Sequence, residues 1–249
     1  MLKNKTILVV GAAGLLGSKV INALLQANAQ VIATDINLTG LQQQFDTGKN
    51  QNITLVSLDI NNEAEVKRFF EQQPQLEGVV NCAYPRNKHY GKSFFDVSLS
   101  SFNDNVAMHL GSSFIIMQQS AALFLRQQSP MSIVNVSSIY GVVAPDFDIY
   151  EGTPMTMPVE YAAIKSAIVH LNKYVSSFIK DSRFRVNSIS PGGLFNHQPQ
   201  AFLDKYQQRT MGTGMLSADD MTGSVLFLLS DQSKYMTGQN LIIDDGFTL

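Results

Sequence analysis

A single cysteine, Cys82, stands among 249 residues, and that scarcity excludes an intramolecular disulfide. Cys82 itself reads as a small core residue, because nothing near it in the sequence points to a lowered thiol pKa. Charge is sparse as well. Lys and Arg number 18 against 20 Asp and Glu, 15% of the chain together, so no basic field exists to hold nucleic acid. The four histidines, His89, His109, His170 and His197, lack the spacing of a ligand set, and no metal is expected. Long apolar runs are missing too: the opening Met1-Leu2-Lys3-Asn4-Lys5 leads into a run too short for a signal peptide or a membrane span. The expected setting is cytoplasmic, with no membrane partner. No repeat, low-complexity tract or linker interrupts the sequence. With 45% hydrophobic residues, residues 1–249 read as one domain with an ample core.

What is present alternates. Strands are predicted at Thr6 to Val10, Gln30 to Thr34, Ile53 to Leu58, Gly78 to Asn81, Met131 to Val136, Phe184 to Ile189 and Asn240 to Ile243. Helical periodicity follows Gly17 and runs from Asn62 to Gln73, Ser98 to Gln127, Val159 to Ile179 and Ala218 to Leu229. This alternation predicts an α/β class: a single-domain Rossmann fold, a doubly wound seven-stranded parallel sheet with helices on both faces.

The first strand ends in Gly11-Ala12-Ala13-Gly14-Leu15-Leu16-Gly17. Glycines there allow a tight turn and close approach to a pyrophosphate, whose charge meets the free N–H groups of the helix that follows. Asp35 stands at the end of the second strand. A carboxylate there accepts hydrogen bonds from ribose hydroxyls and repels a 2′-phosphate, which favours NAD over NADP; the competing reading is a helix cap. Asp59 closes the third strand, either to meet an adenine amino group or to cap the next helix with Asn61 or Asn62.

Tyr161 and Lys165, four residues apart on a predicted helix, share one face. An ammonium near a phenol favours the phenolate, and Ser138, at the end of the fifth strand, can hydrogen-bond the same substrate oxygen that the tyrosine protonates. Alone the pattern is weak, since a half-buried tyrosine beside a solvated lysine reads identically.

With those residues placed, the sequence resembles the short-chain dehydrogenase/reductase family from end to end. The glycine turn, Asp59, Asn81-Cys82-Ala83, Ser138, Tyr161-x-x-x-Lys165, Pro191-Gly192 and Tyr235-Met236-Thr237-Gly238-Gln239 through Asp244-Asp245-Gly246 fall in the family's order. The resemblance implies that Tyr161 is the acid/base, that Lys165 holds the nicotinamide ribose and lowers the tyrosine pKa, and that Ser138 positions the reacting oxygen. It also implies that the cofactor is held by Gly11, Ala13, Gly14, Leu15, Leu16 and Gly17, by Asp35, Asp59 and Ile60, and by Asn81 and Ala83. Tyr161 and Lys165 complete that set, with backbone after Pro191 and Gly192, near Leu194 and Asn196, around the carboxamide. Several positions depart from the family. Glycines at 11, 14 and 17 are more like its extended, sugar-nucleotide-handling branch, and Val10 stands where Thr is common. His109 occupies the place of a catalytic Asn that orders a water relay to the lysine; it either passes a proton itself or is a satisfied core histidine. Tyr84 replaces a glycine, and the stretch from Ser138 to Tyr161 is longer than usual.

More narrowly, Ser137 to Pro145, Met155 to Tyr161 and Ile243-Asp244-Asp245-Gly246-Phe247 resemble the flagellin-modification oxidoreductases of bacterial nonulosonic (legionaminic-type) acid pathways. That likeness implies an amino-sugar substrate, phosphorylated or nucleotide-linked among its options. The expected function is an NAD-dependent oxidoreductase acting on a secondary alcohol or ketone of a sugar-like molecule. A dehydratase or epimerase that borrows and returns the hydride is the rival enzyme reading, and an NAD-binding protein without turnover is the rival outside enzymes. Tyr84, Arg86, Tyr150 and Glu151 are the expected substrate contacts, and 145–158 and 196–216 the substrate-side segments. Residues 145–158 read as a lid, or as a subunit contact. The family likeness suggests a homotetramer or homodimer built on the two long helices and the final strand.

Overall fold

Thr6–Val10 forms β1, and its side chains alternate between two apolar faces: Ile7 and Val9 enter one core, Leu8 and Val10 the other. A strand that is apolar on both faces belongs in a covered parallel sheet. The computed structural model describes residues 2–45, 48 and 50–249, so residues 1, 46, 47 and 49 of the expected domain lie outside the described residues. After β1 come α1 (Leu15–Gln26), β2 (Gln30–Asp35), α2 (Leu38–Gln44), β3 (Ile53–Ser57), α3 (Glu63–Glu71), β4 (Gly78–Asn81), α4 (Leu99–Asn105) and α5 (Gly111–Gln127). Then follow β5 (Met131–Val136), α6 (Val159–Ile179), β6 (Phe184–Pro191), α7 (Gln200–Gln207), α8 (Thr222–Leu229) and β7 (Asn240–Ile243). The seven strands lie in the order β3-β2-β1-β4-β5-β6-β7, every neighbouring pair parallel. This is the predicted Rossmann-type α/β fold.

Strand order reverses between β1 and β4, and a crevice opens where their carboxyl ends diverge. Val10 pairs with Thr34 on one side and Asn81 on the other, which brings the glycine turn, Asp35 and the Asn81-Cys82-Ala83 segment to that one edge. Leu16, Val20, Ile21 and Leu24 of α1 pack with Val225 and Leu228 of α8 on one face of the sheet. Val66 and Phe70 of α3 pack with Ile116 and Phe124 of α5 on the other. Each such side chain contributes about 1.5–3 kcal/mol when fully buried. The helices therefore fix the sheet, and the sheet fixes the edge.

Some elements differ from the predicted ones. The segment 98–127 is not one helix: a π turn, Val106–Leu110, separates α4 from α5, and the Gly111 N–H bonds the carbonyl of Val106. Residues 196–216 contain α7, because Phe202 and Tyr206, four apart, bury one face of it. The stretch 218–229 starts as a 3₁₀ turn capped by Ser217 and Asp220 before α8 begins.

Candidate active site

Gly11 has φ +74°, and a Cβ added there would stand 2.6 Å from the Cα of Ala83. No L side chain fits that approach without a shift. Helix α1 then starts at Gly14 with no side-chain cap and no acidic residue in its first turn, so its N–H groups and dipole face outward as an anion cradle. Such a cradle fits a dinucleotide pyrophosphate. Asp35 accepts from the Ala13 N–H at 3.0 Å and the Asn37 N–H at 2.9 Å. The cap of α2 is Asn37, which accepts from the Gly40 N–H, and Asp35 is left beside the glycine turn. Asp59 accepts from the Asn61 N–H at 2.9 Å, while Asn62 caps α3. Buried Asn81 accepts from the Ala83 N–H at 3.2 Å and steadies the backbone opposite Gly11.

The turn after β5 carries Ser138, and α6 carries Tyr161 and Lys165. Gly141 lets the two meet: an added Cβ would lie 2.7 Å from the carbonyl carbon of Lys165. Ser137 Oγ also donates to the Lys165 carbonyl at 2.8 Å. Burial pushes the pKa of the Tyr161 phenol up, and the neighbouring Ser138 hydroxyl opposes the rise. Lys165 is buried, donates from Nζ to the Val136 carbonyl at 2.7 Å, and lies 5.5 Å from the ring centres of both Tyr84 and Tyr161. Burial lowers its pKa to about 7. The expected lowering of the Tyr161 pKa by Lys165 is thus not what this geometry gives. The ammonium is turned to Val136, and desolvation of the phenol dominates.

The π turn aims His109 inward. Its ring centre is 5.1 Å from that of Tyr84, and its carbonyl accepts from Ser112 Oγ at 3.1 Å and Ser113 Oγ at 2.9 Å. Burial, helped by the charge of Lys165, drives its pKa down to about 2. The imidazole is neutral throughout the working range.

A cavity of about 650 Å³ opens at this edge. Its wall takes in Leu15, Leu16, Ser138, Tyr161 and Lys165, and from the end of β6 onward Pro191, Gly192, Leu194 and Asn196. Asp35, Asp59, Ile60, Asn81 and Ala83 are not in that wall; they line up along the ends of the neighbouring strands. Of the expected substrate contacts, Tyr84, Arg86 and Tyr150 line the cavity. Glu151 does not. It is exposed on a separate cleft with Asp148 and Arg209, its carbonyl taken by Lys205 Nζ at 2.8 Å. The carboxylate faces outward because Tyr150, the apolar neighbour, takes the inward position.

Residues 145–158 and 196–216 form one cap. Lys205 donates also to the Asp148 carbonyl at 2.9 Å, and Arg209 pairs with Asp146 at 2.8 Å. Beneath them five rings close a circuit: Tyr150 to Phe202 (5.2 Å), Phe202 to Tyr206 (5.9 Å), Tyr206 to Phe247 (4.7 Å), Phe247 to Tyr140 (6.2 Å), and Tyr150 hydroxyl to Tyr140 hydroxyl (3.4 Å). Met155 and Met157 line the cavity from the same cap. Tyr90, Tyr140, Phe202 and Tyr206 are site residues that sequence reasoning missed. The i,i+4 pair on α7 was the available signal for two of them, and adjacency to Ser138 for Tyr140.

A family profile described as enoyl-(acyl carrier protein) reductase matches residues 11–248. The post-translational flagellin modification protein A of Campylobacter coli is 36% identical over all of both chains. L-Xylulose reductase of Caenorhabditis elegans is 26% identical over 98% of this chain and 96% of that one. Among solved structures, a short chain dehydrogenase from Leptospira borgpetersenii serovar Hardjo-bovis with bound NAD+ superposes with TM-score 0.89 at 33% identity, covering 100% of this chain and 94% of that one. A 4-hydroxyisoleucine dehydrogenase complexed with NADH gives TM-score 0.85 at 25% identity, covering 98% and 99%.

Proposed function

The chain belongs to the short-chain dehydrogenase/reductase family and is an oxidoreductase of small molecules using a nicotinamide cofactor; from that premise we propose an NAD-dependent enzyme acting on a secondary alcohol or ketone of a sugar-like substrate. The observation that carries the reading is the convergence of Ser138, Tyr161 and Lys165 on one cavity that Leu15 and Leu16 of the glycine turn also line. When bound, the nicotinamide supplies the hydride acceptor or donor. Tyr161 gives or takes the proton of the substrate oxygen, Ser138 holds that oxygen by hydrogen bond and opposes the burial that keeps the phenol protonated, and Lys165 holds the nicotinamide ribose. His109, neutral beside Lys165, relays a proton by exchanging ring tautomers rather than by carrying charge. Gly11, Ala13, Gly14 and Gly17 hold the pyrophosphate end, Asp35 the adenosine ribose, Asp59 and Ile60 the adenine, Asn81 and Ala83 the underside, and Pro191, Gly192, Leu194 and Asn196 the carboxamide.

NAD is favoured over NADP because the Asp35 carboxylate sits beside the Ala13 N–H, where a 2′-phosphate meets like charge. Among the described residues no helix is long and apolar enough to cross a membrane, and we place the enzyme in the cytoplasm. Exposed Tyr174 and Phe178 on α6 and Leu125 on α5 support a homodimer or homotetramer through the long helices, which a sizing column checks. The deciding experiment is a screen of amino sugars and sugar phosphates with NAD and with NADP, following absorbance of the reduced cofactor. Net NADH accumulation is expected with at least one sugar. Turnover of the sugar without accumulation would transfer the reading to a hydride-borrowing dehydratase or epimerase, and tighter binding of NADP than NAD would remove Asp35 from its role.

A further inference from the structure

We propose that the substrate carries an oxyanion group, phosphate or carboxylate, held by Arg86, and no free ammonium. This rests on the sugar-like reading above and narrows it by charge. Among the described residues no Asp or Glu lines the 650 Å³ cavity, whereas Lys165 and Arg86 do. The nearby acids lie outside that wall. Asp146 and Asp148 pair with Arg209, Glu151 opens on the outer cleft, Asp244 and Asp245 accept from the backbone N–H groups of Gly246, Thr248 and Thr213, and buried Glu160, behind the wall, accepts from Asn105 at 3.3 Å with one oxygen.

The remaining polar lining is largely phenolic. Burial raises the pKa of Tyr84, Tyr90, Tyr140, Tyr150 and Tyr206, so these are neutral donors and acceptors and supply no negative charge. An ammonium entering the cavity would meet neutral acceptors and ring faces, with no carboxylate in the wall to pair with. The ring nearest the reaction centre is already taken: Arg86 stands 5.0 Å and Lys165 5.5 Å from the centre of Tyr84. A third cation is repelled there.

Arg86 is exposed to solvent at the mouth and has no carboxylate within 4.0 Å among the described residues. Its stacked, planar guanidinium presents a fork suited to two oxygens of one phosphate or carboxylate. A single ring, Tyr84, separates it from Tyr161. The oxyanion therefore belongs on a part of the substrate remote from the reacting carbon, with the body of the molecule spanning Tyr84.

The test uses the full chain saturated with NADH and measures calorimetric affinity for glucosamine, N-acetylglucosamine, N-acetylglucosamine 6-phosphate and glucuronate. The phosphate sugar or the uronate should bind at least about tenfold tighter than N-acetylglucosamine, as expected for a charge-assisted pair, and the two arms tell phosphate from carboxylate. Glucosamine should bind most weakly. Arg86→Ala should abolish the preference, Arg86→Lys retain part of it, and Arg86→Glu favour glucosamine instead. Equal or tighter binding of glucosamine by the unaltered protein, no measurable binding of either oxyanion sugar, or a preference untouched by Arg86→Ala overturns the proposal. Because affinity is read without turnover, failure to produce NADH counts against the proposed reaction and not against this charge preference.

Discussion

Around β1 and β4 the site is built of backbone, with Gly11 pressed against Ala83 and the bare start of α1 beside it. Around α7 and residues 145–158 it is built of rings and long side chains brought from four distant stretches of the chain. At Gly11 and Gly17 the first half has no room for a Cβ, so its backbone shape tolerates little change. The second is a packed layer in which side chains of similar volume exchange at modest cost. Such a division lets one cofactor frame serve different substrates, and it predicts that substitutions in the two halves separate cofactor binding from substrate binding.

The largest expected effect lies on the border itself. Tyr161→Phe keeps the ring that packs on Tyr84 but removes the hydroxyl beside Ser138, and kcat should fall about a thousandfold as for loss of a general acid/base. Affinity for NADH should stay within about twofold, since a missing proton donor is not a missing contact. A variant that keeps more than about a tenth of the rate takes Tyr161 out of the proton path.

Next in size is a direct contrast between halves. Gly11→Ala introduces a Cβ 2.6 Å from backbone at φ +74°, so we expect a loss of about 2–4 kcal/mol in urea unfolding together with weak NADH binding. Tyr150→Ala, in the ring layer, should instead raise the substrate KM and leave NADH binding alone. Glu151→Ala should do neither, since that side chain lies outside the cavity. If Tyr150→Ala weakens NADH as much as Gly11→Ala does, the two halves are one.

The same contrast explains what the sequence made legible. The strands, the glycine turn, Asp35 and the Tyr161–Lys165 spacing follow from rules acting over a few residues, and the sheet brings them together by topology. The ring circuit has no such local rule: Tyr140, Phe202, Tyr206 and Phe247 meet only because separate segments dock. Lys165 shows the limit from the other side. Its helical spacing to Tyr161 was readable, but its turn towards Val136 depends on where β5 ends, and the upward shift of the phenol comes from burial that only the assembled fold provides.

Electrostatics sharpen the border further. The folded pKa of Lys165, about 7, lies below the 10.5 of a free lysine, so unfolding takes up a proton between those values and stability from this group rises with pH across that window. Below about pH 7 the buried ammonium destabilises the fold fully, and above about pH 10 the effect is gone. Lys165→Met should therefore stabilise the cofactor-free protein by about 4–5 kcal/mol near pH 6, less the lost bond to Val136, and progressively less on raising the pH. Paired urea titrations across pH read the difference. A constant difference would mean that the lysine is not desolvated.

The smallest effect is expected where the halves touch. The Tyr206 hydroxyl accepts from the Gly193 N–H at 2.5 Å, and its ring stacks on Phe247 at 4.7 Å. Burial raises the phenol pKa to about 12, so the acceptor is neutral and the bond is of ordinary strength, about 1 kcal/mol net. Tyr206→Phe deletes that bond and keeps the stack. The Pro191-Gly192-Gly193 turn would then lose its fastening to the cap while the ring layer stays intact, so NADH affinity should weaken about threefold and the substrate KM should hardly move. Phe247→Ala is the mirror image: it removes the stack, keeps the hydrogen bond, and should act on the substrate KM first. If Tyr206→Phe moves the substrate KM more than NADH affinity, the turn belongs to the ring layer and the boundary runs through β6 instead of through Tyr206.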